Sequence, residues 1–580
     1  MLKFTMKCCV VVQIYFLNAC QPLSEVKKGG LVERWGAHDA VKNRYLVGFC
    51  QEKKDKKLFS SFFEEESFFQ NYVSDYLSSN LIKNVSYISS FELHGSKQFS
   101  YRQEKGTCGD HLLSQVEFYN SSDALGLLSK WYYAGRIDFW EPDWWNDLSQ
   151  SPFDGEHLLY LREGRKWWTE QVKLPLALNE VKKRLEEDRI TPQSPVIAVL
   201  DSGIDYEHPS LVGRVWENVD KKNTICPGGR WGCNTVNAKK GTLGDGEVHP
   251  YGSPSAGAYC DTYNAHVRSG DCMHGTHVAG ILVGNVETGL PGVCPFCRVM
   301  NLRVLESSEG YGRISDSAVL RALKYLSLFE RSRGKNLVRV VNLSFGKYHK
   351  GRALALYIEH LSNFRDGILV VAAAGNEDTQ RRIYPAAHSS ALAVAALSYS
   401  GRKASYSNYG SWVNIAAPGG EVREGSYLIE SSIPGGGFSS SQGTSMATPV
   451  VAGAAGLLLS VRPEMTAKAL RESLLLSSDN SIYGYDHANG YNYRNYFPQV
   501  DGEHVPLLGV GRLDVEALLH QVKRPNRMES KQGRTDIKCS CLIGLPQKSL
   551  DSRYFFYCLP ILIGFVFFRI ERDRKYEKSK

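Results

Sequence analysis

The chain has 580 residues, more than one average domain needs, which indicates one large domain or two with accessory segments. Hydrophobic residues make up 43% of the chain and charged residues 22%, a composition that excludes a disordered or fibrous protein. The net charge of +8 is modest for this length and forms no basic stripe outside the C-terminal tail. We therefore expect no nucleic-acid partner.

Residues 1–20 have the order of a secretory signal peptide. A basic start precedes an apolar run over residues 8–17, which is too short for a membrane-spanning helix. The run ends in LNAC (17–20), which resembles a bacterial lipobox, although Asn18 is an unusual residue in that motif. We therefore expect an exported bacterial protein, periplasmic or at the cell surface, and either secreted or attached to the membrane.

Residues 21–150 are predicted to form a small α+β domain. RYLVGF (44–49) and residues 137–140 are typical of strands, and the segment between them contains a helix capped near Asp123. Three tryptophans in FWEPDWW at its end indicate a packed core or an interface with a neighbouring domain rather than a ligand cage. A further helix, ALNEVKKRLEED (177–188), precedes a change of pattern.

From Pro195 onward, short apolar runs alternate with amphipathic helical segments. The predicted strands are VIAVLD (196–201), VMNLRVL (299–305), VRVVNLSF (338–345), ILVVAAAG (368–375) and ALAVAAL (391–397). Continuous apolar strands with intervening helices predict an α/β fold, a mostly parallel, doubly wound sheet covered by helices. Active groups of such folds gather at the carboxyl ends of the strands.

Polar residues of four kinds stand at those ends. Asp201 closes the first strand, as a fixed carboxylate or as a turn residue. His274 opens an apparent helix and suits a general base; with His277 it has metal-ligand spacing, but the helical Glu of zinc hydrolases is missing. Asn376 follows a strand and can donate to a developing oxyanion. Ser445 stands exposed where a loop enters an Ala- and Gly-rich helix.

In the order DSGID, HGTHVAG, SFG, AAAGN and GTSMATP, these motifs resemble the subtilisin-like serine peptidase family over about residues 160–525. The resemblance implies that Ser445 is the nucleophile, that His274 carries its proton to the leaving amine, and that Asp201 orients the imidazole. Asn376 and the backbone N–H of Ser445 would form the oxyanion hole. The implied activity is that of a serine endopeptidase whose chemistry requires no cofactor.

The same resemblance assigns a substrate cleft for proteins or peptides. One side would pair with the substrate as an extra strand, and a second would form a wall of the primary specificity pocket. These substrate-binding residues are Ser344, Phe345 and Gly346 on the first side and Ala373, Ala374 and Gly375 on the second. Small alanines would admit sizeable apolar side chains, whereas Glu377 at the rim would favour basic ones, and the sequence does not rank these preferences.

By the same resemblance, residues 21–150 are an inhibitory propeptide, and the protein is a zymogen that cleaves itself between about residues 145 and 160. The alternative is an inactive relative that binds peptides or a surface partner through the same cleft. That alternative predicts the loss of a catalytic residue, and Asp201, His274, Asn376 and Ser445 are all present.

Six cysteines fall in one part of the chain, at positions 226, 233, 260, 272, 294 and 297. Their even number and close spacing indicate local disulfides and an oxidising compartment, with Cys226–Cys233 and Cys260–Cys272 as predicted pairs. Four of them lie in an insertion, residues 215–272, between the aspartate and histidine motifs. CPFC (294–297) also has a zinc-like or redox-like spacing. Cys50 and Cys108 are a further candidate pair.

The C-terminal part contains a charged linker (526–553), a candidate transmembrane segment (554–568) and a basic tail (569–580). The apolar segment is short for a spanning helix, and its order with the tail resembles the sorting signals of bacterial surface proteins. The termini are thus the predicted membrane contacts. The sequence does not decide whether a structural calcium ion is bound. Val286, which has no side-chain oxygen, stands where calcium-binding relatives tend to supply an oxygen ligand.

Overall fold

A computed structural model describes residues 34–35, 38–51, 82–92, 110–118, 124, 127–128, 130–131, 137–148, 166–187, 192–219, 225–250, 269–308, 311–329, 335–424, 427–483, 485–486, 491–492, 499–500 and 503–521. The chain divides into two compact units, residues 1–523 and 524–580, and every described residue belongs to the first. The predicted signal peptide, the segments from residue 526 onward, Cys108 and Cys260 lie outside the described residues.

The helices and strands follow one another in this order: β1 (Arg34–Trp35), β2 (His38–Gln51), β3 (Ile82–Glu92), β4 (Asp110–Phe118), β5 (Ile137–Leu148), α1 (Trp167–Gln171), α2 (Leu174–Glu187), β6 (Val196–Asp201), β7 (Gly232–Asn234), α3 (Ser269–Val283), β8 (Arg298–Arg303), β9 (Leu305–Ser308), β10 (Tyr311–Ser315), α4 (Asp316–Ser327), β11 (Val338–Leu343), β12 (Phe345–Gly346), α5 (Arg352–Asn363), β13 (Leu369–Ala373), β14 (Ala391–Leu397), β15 (Ile415–Pro418), β16 (Ile429–Ile433), β17 (Gly437–Ser441), α6 (Thr444–Val461), α7 (Ala467–Leu476), β18 (Tyr485–Asp486), β19 (Tyr491–Asn492), β20 (Gln499–Val500), β21 (Glu503–His504) and α8 (Val515–Gln521).

The central sheet is parallel and runs in the order β15-β14-β13-β11-β6-β8-β7. Every residue of β6, β11, β13 and β14 is buried, as expected of strands covered on both faces. Along β6, Ala198 and Leu200 belong to the core under α4 and α5, whereas Ile197 and Val199 belong to the core under α3 and α6. The predicted α/β fold, a mostly parallel sheet between two layers of helices, is confirmed.

The strand predictions hold apart from their bounds: the strand predicted over residues 368–375 covers Leu369–Ala373, and two other predicted strands are interrupted. VMNLRVL is split at Val304, whose N–H donates to the carbonyl of Asp201 at 2.9 Å, so that β8 ends before it and β9 begins after it. Ser344 lies between β11 and β12, so the predicted run 338–345 forms two strands. Both interruptions lie at the carboxyl edge of the central sheet, where the site residues are found.

The N-terminal region forms an antiparallel sheet in the order β3-β4-β2-β5. Its buried face includes Tyr45, Val47 and Val116, and part of the segment between β4 and β5 is helical. The sheet continues beyond β5, because β5 pairs with β10 and with β12. The α+β character predicted for this region agrees with the described residues, and its strands join elements of the larger α/β body.

Among the described residues, one helix is long and apolar enough to cross a membrane, namely α6, Thr444–Val461. It is 94% buried inside the protein, where it contacts β11, β13, β14 and β15 of the central sheet. Its apolar composition is therefore explained by the core that it fills.

Candidate active site

Asp201 and His274 form a buried pair at the carboxyl end of β6. The Nδ1 atom of His274 lies 2.8 Å from Oδ1 of Asp201 and 3.0 Å from Oδ2. A carboxylate accepts hydrogen bonds, so Nδ1 carries the proton and Nε2 has the free lone pair. The Nε2 atom is buried and has no hydrogen-bond partner among the described residues. The arrangement thus fixes the orientation of the imidazole and leaves Nε2 as the nitrogen that can exchange a proton.

The helix that carries His274 begins earlier than predicted. It starts at Ser269, so the histidine lies in its second turn and not at its opening. A second contact joins this helix to the strand end: the backbone N–H of Gly275 donates to Oγ of Ser202 at 3.0 Å. The N–H of Ser202 donates to Oδ1 of Asp201 at 2.7 Å, which fixes the carboxylate.

Gly275 permits this close approach, because a Cβ there would lie 2.3 Å from the carbonyl oxygen of Gly203 and 3.1 Å from Oδ1 of Asp201. We expect Gly275→Ala to lower the free energy of unfolding by about 2–4 kcal/mol through overpacking against rigid backbone. Chemical denaturation measures the change. In the control, Gly437→Ala, the new methyl would meet Ile433 at 3.4 Å, an ordinary contact, and equal destabilisation of both variants would contradict the prediction.

His277 is the structural neighbour of this pair. Its Nε2 lies 3.1 Å from the carbonyl of Ser439, which only accepts, so Nε2 carries the proton. Burial, with His274 nearby, lowers the pKa of His277 to about 3, so the ring is neutral at physiological pH. Among the described residues, no group of three or more His, Cys, Asp or Glu side chains is arranged to hold a metal ion.

Ser445 is the second residue of α6, after Gly443, whose φ of 150° suits glycine. Its Oγ donates to the carbonyl of Ser344 at 2.9 Å, and Oγ of Ser344 donates back to the carbonyl of Ser445 at 3.1 Å. The second bond replaces a helical one, since Pro449, four residues on, has no N–H to donate. The serine was predicted to be exposed, but it is fully buried, with its hydroxyl turned to Ser344.

Asn376 adjoins the same helix start. Its Oδ1 accepts from the N–H of Thr444 at 2.9 Å and from Oγ1 of Thr444 at 2.9 Å, while that Oγ1 accepts from the N–H of Gly375 at 3.0 Å. These bonds fix the amide, and its Nδ2 is left buried without a partner among the described residues. A preorganised amide donor of this kind is suited to a developing negative charge.

Three neighbouring strands therefore bring the predicted residues to one edge. Asp201 ends β6, Ser344 follows β11 and Gly375 with Asn376 follow β13, and β11 lies between the other two in the sheet. The supporting hydroxyls of Ser202 and Thr444 were not predicted. The only sequence feature that could have indicated them is position: Ser202 follows Asp201, and Thr444 precedes Ser445.

The strand β5 of the N-terminal sheet occupies the edge predicted to pair with substrate. Leu148 is opposite Phe345 and Asp147 is opposite Gly346 in an antiparallel register. On its other side, β5 pairs with Ile314 and Ser315 of β10. The end of β5 thus lies between two strands of the α/β body, next to Ser344.

The disulfides of the described region are local. Cys226 is bonded to Cys233, as predicted, and Cys294 to Cys297, so the zinc interpretation of CPFC is wrong. Cys272 also belongs to a disulfide, while Cys260, its predicted partner, lies outside the described residues.

The insertion is anchored beside the aspartate. Nη1 of Arg303, at the end of β8, donates to the carbonyls of Glu247 and His249 at 3.3 and 3.2 Å. Nδ2 of Asn301 donates to the carbonyl of Val248 at 3.0 Å. Residues 247–249 of the insertion therefore cover the carboxyl ends of β6 and β8, close to the buried aspartate–histidine pair.

A buried aspartate–histidine pair, a serine at a helix start and an oriented amide are the groups that serine hydrolases use. Comparison with known sequences agrees: the pattern of the Subtilase family matches residues 193–492. The chain belongs to the subtilase family.

Several curated relatives are similar over the same part of the chain. Subtilisin NAT of Bacillus subtilis subsp. natto is 32% identical over 307 residues, which are 52% of this chain and 65% of the relative. Subtilisin of Bacillus pumilus is 32% identical over 307 residues and 90% of its length. Thermitase of Thermoactinomyces vulgaris is 34% identical over 269 residues, 46% of this chain and 74% of the relative. The chain thus spans about two thirds of the first of these.

Proposed function

We propose that this protein is a serine endopeptidase that hydrolyses peptide bonds with Ser445, His274 and Asp201 and is made as a self-processed zymogen. One observation carries the proposal: residues at the carboxyl edge of the parallel sheet bond both helices that carry the reacting groups. Asp201 bonds His274 of α3, while Ser344 and Asn376 bond the start of α6, where Ser445 lies. Membership of the subtilase family supports the same activity.

In the proposed reaction, Oγ of Ser445 leaves the carbonyl of Ser344 and attacks the carbonyl carbon of the scissile bond. Nε2 of His274 takes the hydroxyl proton and returns it to the leaving amine, and Asp201 stabilises the imidazolium that forms between these steps. The resulting oxyanion accepts hydrogen bonds from Nδ2 of Asn376 and from the backbone N–H of Ser445. Ser445 lies in the first turn of α6, where backbone N–H groups have no partner within the helix. Water then hydrolyses the acyl-enzyme.

The N-terminal region is proposed to be the inhibitory propeptide. Its strand β5 takes the place that a substrate strand would occupy along β12, in an antiparallel register that ends with Leu148 opposite Phe345. Cleavage that frees the enzyme is expected beside this paired segment, within the predicted range of 145–160. Calcium binding and retention at a membrane stay predictions, and export is supported by the disulfides of the described region.

Two carboxylates attach β5 to the start of two helices. Oε2 and Oε1 of Glu141 accept from the N–H groups of Arg352 and Ala353, each at 2.7 Å, at the start of α5. Oδ1 of Asp143 accepts from the N–H of Ser317 at 2.9 Å in the first turn of α4. Carboxyl oxygens at a helix N-terminus accept hydrogen bonds from the N–H groups that have no partner within the helix. We infer that these contacts hold the propeptide on the enzyme.

We expect Glu141→Ala to loosen this attachment by about 1–3 kcal/mol, because two helix N–H groups lose their acceptor. In a Ser445→Ala background, which blocks self-cleavage, a fluorescent peptide that binds along β12 should then bind about 10- to 100-fold more tightly. Lys83→Ala, which removes an exposed ion pair with Glu117, is the matched control. Unchanged peptide affinity in Glu141→Ala would contradict the assignment.

The attachment should also depend on pH. Burial raises the pKa of Glu141 from 4.5 to about 7, whereas release exposes the carboxyl and restores its ordinary pKa. The attached state then holds the proton more tightly, so attachment is strongest below pH 4.5 and weakens as the pH rises through about 7. Glu141→Gln should flatten this part of the peptide-affinity profile between pH 5 and 8, and an unchanged slope would exclude Glu141 as its source.

The decisive experiment compares residues 21–580 with and without Ser445→Ala. The unsubstituted protein should release its N-terminal region and cleave casein, whereas the variant should stay full length and inert. N-terminal sequencing of the processed enzyme then locates the cleavage, which is expected between about residues 145 and 160. If the unsubstituted protein neither processes itself nor cleaves casein, the alternative of an inactive peptide-binding relative is favoured.

A further inference from the structure

One apolar side chain stands between the two walls predicted for the primary specificity pocket. Ile383 is 4% exposed. A Cβ on Gly346, in the first wall, would lie 3.0 Å from its Cγ1, and a Cβ on Gly375, in the second wall, would lie 3.0 Å from its Cδ1. Ile383 therefore contacts both glycines from the space between them, where the absence of side chains would otherwise leave room for a substrate residue.

Two backbone hydrogen bonds fix the position of the chain next to Ile383. The N–H of Lys347 donates to the carbonyl of Tyr384 at 2.8 Å, and the N–H of Tyr384 donates to the carbonyl of Lys347 at 2.7 Å. This pair of bonds ties the residue after Ile383 to the residue after Gly346. The β-branched side chain has few rotamers to choose from, so it cannot easily leave the pocket.

The polar group at the rim is already engaged. Oε2 of Glu377 accepts from the N–H of Asn376 at 3.0 Å and from Nδ2 of Asn408 at 2.8 Å. It also bonds the hydroxyl of Tyr348, and burial together with this carboxylate raises the pKa of Tyr348 to about 12. Arg381 lies over the Tyr348 ring at 4.0 Å and adds positive charge to the same corner. A basic substrate side chain would meet Ile383 in the space between the two glycines and would compete with Asn376, Asn408 and Tyr348 for the carboxylate.

We propose that Ile383 closes the primary specificity pocket, so that the enzyme selects small uncharged residues such as glycine, alanine or serine before the scissile bond. The inference rests on the proposed peptidase function and names the substrate class of the same site. The sequence alone allowed a preference for large apolar or for basic side chains in this pocket, and the proposed preference for small uncharged residues differs from both. A shallow apolar pocket rejects larger groups by steric exclusion.

The test measures kcat/KM of the processed enzyme on one peptide series that varies only at the position before the cleaved bond. The series carries glycine, alanine, serine, leucine, phenylalanine and arginine. The unsubstituted enzyme should cleave the alanine and serine peptides at least about tenfold faster than the phenylalanine and arginine peptides. Ile383→Ala should raise kcat/KM for leucine or phenylalanine by about 10- to 200-fold.

Two further variants make the result unambiguous. Ile383→Val trims one methylene-sized group and should give an intermediate shift toward leucine, even if Ile383→Ala folds poorly. Ile358→Ala removes the same atoms from a buried site in α5 of the same core and should leave the preference unchanged. Equal cleavage of the alanine and phenylalanine peptides by the unsubstituted enzyme would overturn the pocket assignment, as would an unchanged preference in both Ile383 variants.

Failure of the proposed function gives a different result. If no peptide in the series is cleaved and a fluorophosphonate does not label Ser445, the peptidase assignment fails and the pocket assignment fails with it. If Ser445 is labelled and phenylalanine or arginine peptides are cleaved fastest, the peptidase assignment stands and Ile383 does not close the pocket.

Discussion

His274→Ala is expected to lower kcat by about 10⁶, the size of the effect when the corresponding group of subtilisin is removed. Without the imidazole, the hydroxyl of Ser445 keeps its proton and is a weak nucleophile. Adding Ser445→Ala should cost almost nothing further, because the two groups act as one unit. Steady-state kinetics of the single and double variants, each with its propeptide removed in trans by active enzyme, measure both effects.

His520→Ala is the matched control, since this histidine is exposed at the end of α8. It should retain full activity. If His274→Ala and Ser445→Ala instead multiply their losses in the double variant, the two residues act independently and the proposed proton transfer between them is wrong.

Asn376→Ala is expected to lower kcat by about 10²–10³ with little change in KM, because its amide donates mainly to the charge that develops in the transition state. Thr444 and Gly375 already hold this amide in position, so little reorganisation is needed during the reaction. The kinetics of the processed variant on the alanine peptide of the specificity series measure the loss.

Two comparisons separate charge stabilisation from packing. Asn376→Asp keeps the shape but has no N–H donor, so its kcat should fall at least as far as that of the alanine variant. Asn363→Ala alters an exposed asparagine at the end of α5 and should have no effect. A rise in KM with kcat preserved would place Asn376 in substrate binding and not in the oxyanion hole.

The sequence predicted the central sheet well because its strands are continuous apolar runs buried on both faces. The run 391–397 was predicted with the bounds that the structure has, and the positions of Asp201 and Asn376 followed from strands ending beside them. The start of α3 was wrong because the residues before His274 show no apolar period that would indicate a helix.

What the sequence did not predict depends on contacts between distant segments. Ser344 and Ser445 are 101 residues apart, and their reciprocal bonds exist because Pro449 leaves a helical carbonyl without its usual donor. The register of β5 against β12 joins residues almost 200 positions apart. Ile383 carries no local signal at all, since an isoleucine in a loop has the pattern of an ordinary core residue until its neighbours are known.

The central claim is that one hydroxyl, that of Ser445, is the nucleophile of a peptidase. Treating the processed enzyme with a fluorophosphonate and mapping the adduct by peptide mass spectrometry tests it most directly. The account predicts a single labelled residue, Ser445, with peptide hydrolysis lost in proportion to labelling and no label in Ser445→Ala. A label on any other residue that parallels the loss of hydrolysis, or full hydrolysis by Ser445→Ala, would contradict it.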